Sequence, residues 1–214
     1  MIGEDILPPG CGMRDTDAVF IDAVPEQNAT GAVADYYQQQ RAVWGFVPNY
    51  AAAFSTRPDV AQAWNTLNIT IREGMPRRRF EIATIAAARA LRSTYCTVAH
   101  ATFLRDVCDD EATMRSIAAE PSGAALSPQD RAVYEFAGKV ALDASRIEQG
   151  DIDRMRAVGL SDADIADVVF AAAARSFFAR VLDGLGAQLD ARTAQTFPAE
   201  VLESMIVGRP VAPT

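Results

Sequence analysis

Apolar residues recur at three- and four-residue spacing along most of this chain of 214 residues, a pattern typical of amphipathic helices. Alanine, a strong helix former, is abundant, and no run of alternating β-branched residues indicates a strand. The pattern therefore predicts an all-α chain. The predicted helices cover about 29–43, 58–72, 77–91, 94–107, 110–119, 128–145, 149–157, 162–182 and 190–205.

Capping and breaking residues set the predicted helix boundaries. Ser127 is followed by a proline and an acid, and Ser161 is followed by further acids, so both are expected to cap helix N-termini. Gly45 is expected to end the first helix, and Gly74 with Pro76 the second.

Three regions differ in composition. Residues 1–28 contain prolines, glycines and acids, and we expect an extended arm there. Residues 29–205 carry the helical pattern and are long enough to bury one hydrophobic core. Residues 206–214 contain glycine and prolines, and we expect a flexible tail.

Two helical segments resemble each other. Residues 81–83 precede the sequence Ala-Ala-Ala-Arg at 86–89, and residues 164–166 precede the same four residues at 172–175. The repetition indicates an internal duplication, and the alternative is that two alanine-rich buried helices look alike.

The net charge of −8 argues against a nucleic-acid partner, because phosphate binding needs a basic surface. The run Arg77-Arg78-Arg79 is the local exception. We expect it to form a solvated first helical turn, with a patch for an anionic substrate or a partner subunit as the alternative.

The sequence predicts neither a membrane span nor secretion. No run of about 18 apolar residues occurs, and the N-terminus has acids where a signal peptide needs basic residues. We therefore expect a cytoplasmic protein that does not act at a membrane.

The three cysteines, Cys11, Cys96 and Cys108, are odd in number and widely spaced, so they do not form a disulfide framework. One histidine and scattered cysteines do not supply the clustered ligands of a structural zinc site. We expect no metal.

Cys96 and His100 lie four residues apart on the predicted helix 94–107, so their side chains share one face. His100 is the single histidine of the chain. A neutral imidazole there can take the thiol proton, and an imidazolium can stabilise the thiolate, which is the nucleophilic form of cysteine. The alternative is that a buried cysteine and a buried, hydrogen-bonded histidine only pack together.

The segment from Glu81 to His100 resembles the signature of the AhpD-like, or carboxymuconolactone decarboxylase, family. That signature is a glutamate, then a CxxC pair, then a histidine one helical turn after the second cysteine; the spacings of Glu81, Cys96 and His100 fit it. The chain also resembles the peroxidase-related subgroup over most of residues 45–187. The residues of this wider resemblance are Val47-Pro48-Asn49, the Gly74 region, Gly159-Leu160-Ser161-Asp162 and Leu185-Gly186.

The resemblance implies an AhpD-like all-α bundle that forms homo-oligomers (dimers, trimers or hexamers) and carries out thiol peroxidase chemistry without a cofactor. It implies that Cys96 attacks an organic hydroperoxide. It also implies that His100 acts as the base, with Glu81 as its partner in a proton relay.

The first cysteine of the family's pair is Ser93 here, and a hydroxyl cannot form a disulfide. An oxidised Cys96 would therefore need another thiol. Cys108 would lie about 18 Å away on one continuous helix, beyond the reach of a disulfide. We expect an external thiol reductant, and the alternative is Cys11 of the same or a neighbouring subunit.

Several neighbours of the motif have two interpretations. Glu81 is either the relay partner or a surface acid near a helix N-terminus. Ser93 either caps the helix that carries Cys96 or donates a hydrogen bond to its thiolate. Tyr95 is a core residue or a wall of the substrate pocket, with a role as an acid as the alternative. The following aromatic residues are expected in the core or a subunit interface, with a few lining an apolar pocket: Trp44, Phe46, Trp64, Phe80, Phe103, Phe177 and Phe178.

Three functions follow from these observations. The first is a thiol-dependent antioxidant peroxidase that uses Cys96, His100 and Glu81. The second is an acid–base lyase of the lactone-decarboxylase type, in which Glu81 and His100 move protons and Cys96 is incidental. The third is an oligomeric member of the family that has lost the chemistry.

Overall fold

The structure is a computed structural model that describes residues 19–213, and it confirms the all-α prediction. The described residues contain no β-strand, only an isolated bridge between Leu189 and Val211. Short 3₁₀ turns lie at Glu26–Asn28 and Ala144–Arg146. The helices are α1 (Gly31–Trp44), α2 (Asn49–Ala53), α3 (Pro58–Glu73), α4 (Arg77–Ala90), α5 (Thr94–Asp106), α6 (Glu111–Ala119), α7 (Pro128–Asp143), α8 (Gln149–Ala157), α9 (Asp162–Gly184), α10 (Ala191–Ala194) and α11 (Ala199–Met205).

One predicted helix is wrong, and one helix was not predicted. The single helix predicted over 190–205 is two short helices, α10 and α11, because Pro198 stands before α11 with extended backbone angles. The short helix α2 was not predicted; it follows Pro48, whose extended conformation makes it the N-cap.

The predicted capping residues are confirmed. Ser127 Oγ accepts a hydrogen bond from the Asp130 amide, and Ser161 Oγ accepts one from the Asp164 amide, each at 3.2 Å. Gly45 ends α1 in the left-handed conformation, with φ of 77°, which glycine adopts without steric cost. Local sequence therefore determines where these helices begin and end.

Helix α4 is the centre of the fold. It packs against α5, α7 and α9, and all its residues from Phe80 to Ala88 are buried. Five of these nine residues are alanine or threonine, whose short side chains let neighbouring helices approach closely. Residues 91–93 join α4 to α5, and the two helices form a hairpin. In this hairpin the Glu81 side chain on α4 points towards α5.

The two similar segments lie on α4 and α9, which pack against each other. Their common origin stays a prediction.

The interpretation of Arg78 and Arg79 as a merely solvated turn is wrong. Arg78 donates to Asp110 at 2.5 Å and to Asp130 at 2.6 Å, and Arg79 pairs with Asp164. These acids lie at the starts of α6, α7 and α9. The arginine run therefore joins the first turn of α4 to the N-termini of three other helices.

Both ends of the described chain contact the domain. Phe20 N donates to Leu185 O at 2.7 Å, and Gly208 N donates to Thr94 Oγ1 at 2.9 Å. The flexibility of residues 206–214 stays a prediction. None of the described helices has the length and apolar character needed to cross a membrane.

Candidate functional site

A cavity of about 330 Å³ lies between α1, α3, α5 and α9. Its wall combines aromatic rings with a small set of reactive and charged groups, as small-molecule sites do. The lining residues that matter most for chemistry are Trp64, Arg72, Cys96, His100, Arg175 and Phe178.

Cys96 is buried in the first turn of α5, where the helix dipole favours a negative charge. Its sulfur accepts a hydrogen bond from Arg175 Nη1 at 3.7 Å. A guanidinium at this distance stabilises a negative charge that develops on the sulfur. The local chemistry therefore suits an activated cysteine.

Arg175 lies in the middle of α9 and is only 4% exposed. Among the described residues no carboxylate pairs with it, and its Nε is buried without a hydrogen-bond partner. Its guanidinium lies 5.5 Å from the Trp64 ring centroid and 5.3 Å from that of Phe178, at cation–π distance. A buried cation without an acid is costly to the fold, which indicates that another negative group pairs with it.

His100 and Glu81 form the predicted pair. His100 Nδ1 lies 2.5 Å from Glu81 Oε2, and the Glu81 side chain is fully buried and also paired with Arg77. Since a carboxylate only accepts hydrogen bonds, the proton is assigned to Nδ1, which leaves the lone pair on Nε2. The alternative of a surface acid for Glu81 is wrong.

The charge states of this pair follow from burial and from its neighbours. Burial, together with the positive charge of Arg175, lowers the pKa of His100 to about 4, against the opposing effect of Glu81. Burial alone would raise the pKa of Glu81, but His100 and Arg77 outweigh it and hold that pKa below its ordinary value. At neutral pH the site therefore holds a neutral imidazole and a carboxylate.

Cys96 and His100 line the same cavity one helical turn apart, and no hydrogen bond joins these two described residues. Catalytic hydrogen bonds are often absent without substrate and form in the complex. The free Nε2 and the sulfur therefore suit a bound molecule that lies between them.

Ser93 occupies the N-cap position of α5, but neither predicted hydrogen bond is present. Its buried hydroxyl bonds neither a helix amide nor the Cys96 sulfur within the described chain. It lies near Asp183, whose pKa is raised by burial and lowered less strongly by Ser93. The predicted N-cap position of Ser93 is therefore confirmed, whereas its hydroxyl makes neither of the two predicted hydrogen bonds.

Tyr95 is buried and lines the cavity wall. Its hydroxyl donates to Asp190 and accepts from the Tyr50 amide at 3.3 Å. Burial and the Asp190 carboxylate raise the pKa of Tyr95 well above 10, which disfavours a role as an acid. Its contact with a substrate stays a prediction.

Of the other two cysteines, the structure describes Cys108. Cys108 is a half-buried free thiol just after the end of α5, and burial raises its pKa. Cys11 lies outside the described residues, so its part in reducing Cys96 stays a prediction.

Sequence reasoning missed Arg175 as a site residue. It was visible only as the last residue of a repeated Ala-Ala-Ala-Arg, although an arginine within the apolar stretch 168–179 is itself a signal. A charge at a position whose helical neighbours are all apolar must find a partner in the interior. Asp190 was missed as well, because only the fold brings it to Tyr95. Of the aromatic residues considered for a pocket, the cavity is lined by Trp44, Trp64, Phe103 and Phe178.

No family profile matches the chain. A stretch of 86 residues is 37% identical to an alkyl hydroperoxide reductase of Mycobacterium tuberculosis (strain ATCC 25618 / H37Rv). The match covers 39% of this chain and 25% of the relative, so the chain spans about a quarter of the length of that curated protein.

Solved structures match over most of the chain. An alkylhydroperoxidase AhpD core, a peroxidase-related protein of Ralstonia eutropha JMP134, has a TM-score of 0.72 at 20% identity and covers 90% of this chain and 98% of its own. A peroxidase-related protein of Silicibacter sp. TM1040 has a TM-score of 0.72 at 21% identity, covering 85% and 97%. A debrominase, crystallised as a cysteine-to-alanine variant with 2,3,4-tribromopyrrole, has a TM-score of 0.70 at 15% identity, covering 86% and 96%.

At these identities the structural likeness establishes the fold. These findings show that the chain has the all-helical AhpD-like fold.

Proposed function

We propose that this protein is a thiol-dependent peroxidase that reduces an organic hydroperoxide, with Cys96 as the attacking sulfur. The observation that carries the proposal is the cluster at the cavity, where the Cys96 thiol, the Arg175 guanidinium and the His100 imidazole line one pocket. The names of the mycobacterial relative and of the peroxidase-related structural neighbours support the same class of reaction.

In the first step the Cys96 thiolate attacks one peroxide oxygen, so that an S–O bond forms and the O–O bond breaks. The sulfur loses two electrons and becomes a sulfenic acid, while the hydroperoxide is reduced to an alkoxide. The thiol proton passes to His100 Nε2 and then to the alkoxide, which leaves as an alcohol. Arg175 stabilises the thiolate and the charge that develops on the leaving oxygen.

The Glu81–His100 pair is suited to this proton transfer. Glu81, itself held by Arg77, accepts the Nδ1 proton and keeps the Nε2 lone pair available. The low pKa of His100 makes its imidazole a weak base, so Arg175 has to stabilise the charge left on the sulfur when the thiol proton is transferred. Once formed, the imidazolium readily protonates the alkoxide.

An external thiol completes the cycle, because Ser93 stands where the family has the cysteine that forms a disulfide. The thiol attacks the sulfenic acid and releases water, which leaves a mixed disulfide on Cys96. A second thiol then restores the Cys96 thiol and leaves as the external disulfide. The sum is one hydroperoxide and two thiols converted to an alcohol, water and a disulfide.

The test measures turnover of cumene hydroperoxide, with dithiothreitol as the thiol reductant. The wild-type chain is compared with Cys96→Ser, and Cys108→Ser is the matched control. We expect Cys96→Ser to fall to the uncatalysed rate, because serine at neutral pH is not a comparable nucleophile. Cys108→Ser should keep the wild-type rate. Dimedone labelling followed by mass spectrometry should place the sulfenic acid on Cys96; labelling elsewhere, or activity that survives in Cys96→Ser, would refute the proposal.

One observation favours the acid–base alternative. The Glu81–His100 pair is complete, whereas His100 makes no hydrogen bond to Cys96. If the chain acts as a lyase on a carboxylated substrate, Cys96→Ser keeps its activity and Glu81→Gln loses it. Because Glu81 takes part in both reactions, Cys96→Ser is the variant that separates the two functions.

We also propose that the chain forms a homo-oligomer, as the family resemblance implies, and that it works in the cytoplasm. Phe170 and Phe177, seven residues apart on α9, are 54% and 45% exposed and would support such an interface. Light scattering coupled to gel filtration measures the assembly, and a monomer at micromolar concentration would refute it.

A further inference from the structure

The charge of the cavity is opposite to that of the chain. The protein carries 28 acids against 20 lysines and arginines, yet no aspartate or glutamate is among the described residues that line the cavity. Two arginines, Arg72 and Arg175, line it, and its histidine is neutral at pH 7. Even with a thiolate on Cys96, the cavity keeps one uncompensated positive charge.

That uncompensated charge belongs to Arg72. Arg175 already donates to the Cys96 sulfur, and its Nε is covered by protein atoms. Arg72 has no hydrogen bond or ion pair with any part of the chain that the structure describes, and it is only partly exposed. It is therefore a cation available to a ligand.

One face of α3 connects the two arginines. Trp64, which contacts Arg175, and Arg72 are eight residues apart on this helix, about 12 Å by helical rise. Between them Asn65 and Asn68 line the cavity, and neither side-chain amide makes a hydrogen bond within residues 19–213. The wall therefore changes from aromatic near Cys96 to polar and cationic near Arg72.

The inner end of the cavity suits a flat or compact apolar group. Trp64 stacks on Phe178 with ring centroids 4.9 Å apart, and Tyr50 and Phe103 add further aromatic wall. A volume of about 330 Å³ is at the small end of ligand sites, which favours a compact molecule over a long acyl chain.

We propose that the cavity takes a compact organic hydroperoxide that carries a carboxylate. The apolar body lies against Trp64 and Phe178, the hydroperoxide group is directed to Cys96, and the carboxylate pairs with Arg72. The hydroperoxide part rests on the proposed function, whereas selection of the carboxylate rests only on the charges of the cavity.

Binding of a stable probe tests the carboxylate part without any turnover. The chain has two tryptophans, Trp44 and Trp64, and both line the cavity, so their fluorescence reports its occupancy. 4-Phenylbutyrate and its neutral amide have nearly the same shape and differ in charge. We expect the carboxylate to bind the wild-type protein at least about tenfold more tightly, which corresponds to about 1.4 kcal/mol.

Arg72→Gln should remove this preference, so that the two probes bind within about twofold of each other. Arg146→Gln, an exposed arginine outside the cavity, is the matched control and should keep the preference. Equal affinity of both probes for wild-type protein, or no binding of either at millimolar concentration, would overturn the proposal. So would a preference that persists in Arg72→Gln and disappears in Arg175→Met.

Failure of the proposed function has a different signature. If cumene hydroperoxide is reduced but carboxylate selection is absent, the peroxidase stands and this inference is overturned. If no hydroperoxide is reduced but Arg72 selects the carboxylate probe, the anion site stands and the peroxidase is refuted.

Discussion

The arginines at the start of α4 and the arginine in the middle of α9 have opposite surroundings. Arg78 and Arg79 are partly exposed, and each pairs with acids at the N-termini of other helices. Arg175 is buried, contacts two aromatic rings and the Cys96 sulfur, and has no carboxylate partner in the described chain. Arg78 and Arg79 stabilise the packing of the helices through their ion pairs. Arg175 is charged but makes no ion pair that would stabilise this packing.

This difference separates stability from function. A paired arginine contributes to the folded state and its loss should appear in unfolding experiments. A buried arginine without an acid lowers stability, so its presence is better explained by the thiolate or a substrate group that it stabilises. The following experiments test that distinction, beginning with the largest expected effect.

Arg175→Met should slow alkylation of Cys96 by iodoacetamide at pH 7 by about 100-fold, because the thiolate loses its cationic partner. The midpoint of urea unfolding should not fall, and a rise is expected, since methionine fills a similar volume and removes a buried charge. Mass spectrometry of the modified peptide against time measures the rate, with Cys108 as the internal reference thiol. An unchanged rate at Cys96 would mean that Arg175 has only a packing role.

The single histidine makes the electrostatic effect of Arg175 directly measurable by NMR. His100 should titrate near its lowered pKa of about 4 in the wild type and at a higher pH in Arg175→Met, because that guanidinium is the second largest cause of the lowering. A midpoint near 6.5 in both proteins would show that the imidazole is neither buried nor influenced by Arg175.

The same pKa predicts how stability depends on pH. Since folding lowers the pKa of His100 from 6.5 to about 4, the unfolded chain binds the extra proton between these values. The contribution of the neutral imidazole to the free energy of unfolding is complete above about pH 6.5 and falls as the pH drops through 4. The total change is on the order of 3 kcal/mol. Urea unfolding at several pH values should show this slope in the wild type and a smaller one in His100→Gln.

Arg78→Met should lower the free energy of unfolding by about 1–2 kcal/mol, because Asp110 and Asp130 lose a shared partner that water screens only in part. Urea denaturation measures this loss. Peroxide turnover per folded molecule should stay at the wild-type value, because Arg78 does not line the cavity. A loss of turnover larger than the loss of folded protein would contradict the division between the two kinds of arginine.

Asp164→Asn should have the smallest effect, about 0.5–1 kcal/mol, because an amide can still accept the hydrogen bond from the Ser161 amide. Ser161, followed by Arg79, lowers the pKa of Asp164 to about 2. Its contribution is therefore present above about pH 4 and is lost as the pH falls towards 2. The unfolding free energies of wild type and variant should converge below about pH 2, and a difference that persists there would indicate packing instead of charge.

The sequence by itself determined the helices whose signals are local. Ser127 and Ser161 have the residues of a cap beside them, so those boundaries could be read directly, and the motif of Glu81, Cys96 and His100 gave the AhpD-like resemblance. Pro198 could have been read in the same way, since a proline inside the predicted helix 190–205 marks a break.

Only the tertiary structure decided the partners of the charged side chains. Arg78 and Asp130 are 52 residues apart, and Arg175 and Cys96 are 79 apart, so no local pattern indicates that they meet. Helical periodicity reports which face of a helix is buried, whereas the identity of the group opposite that face depends on how the helices pack. For this reason the sequence predicted the cysteine and histidine of the site. The fold added the Arg175 guanidinium, which contacts both the Cys96 sulfur and the aromatic wall.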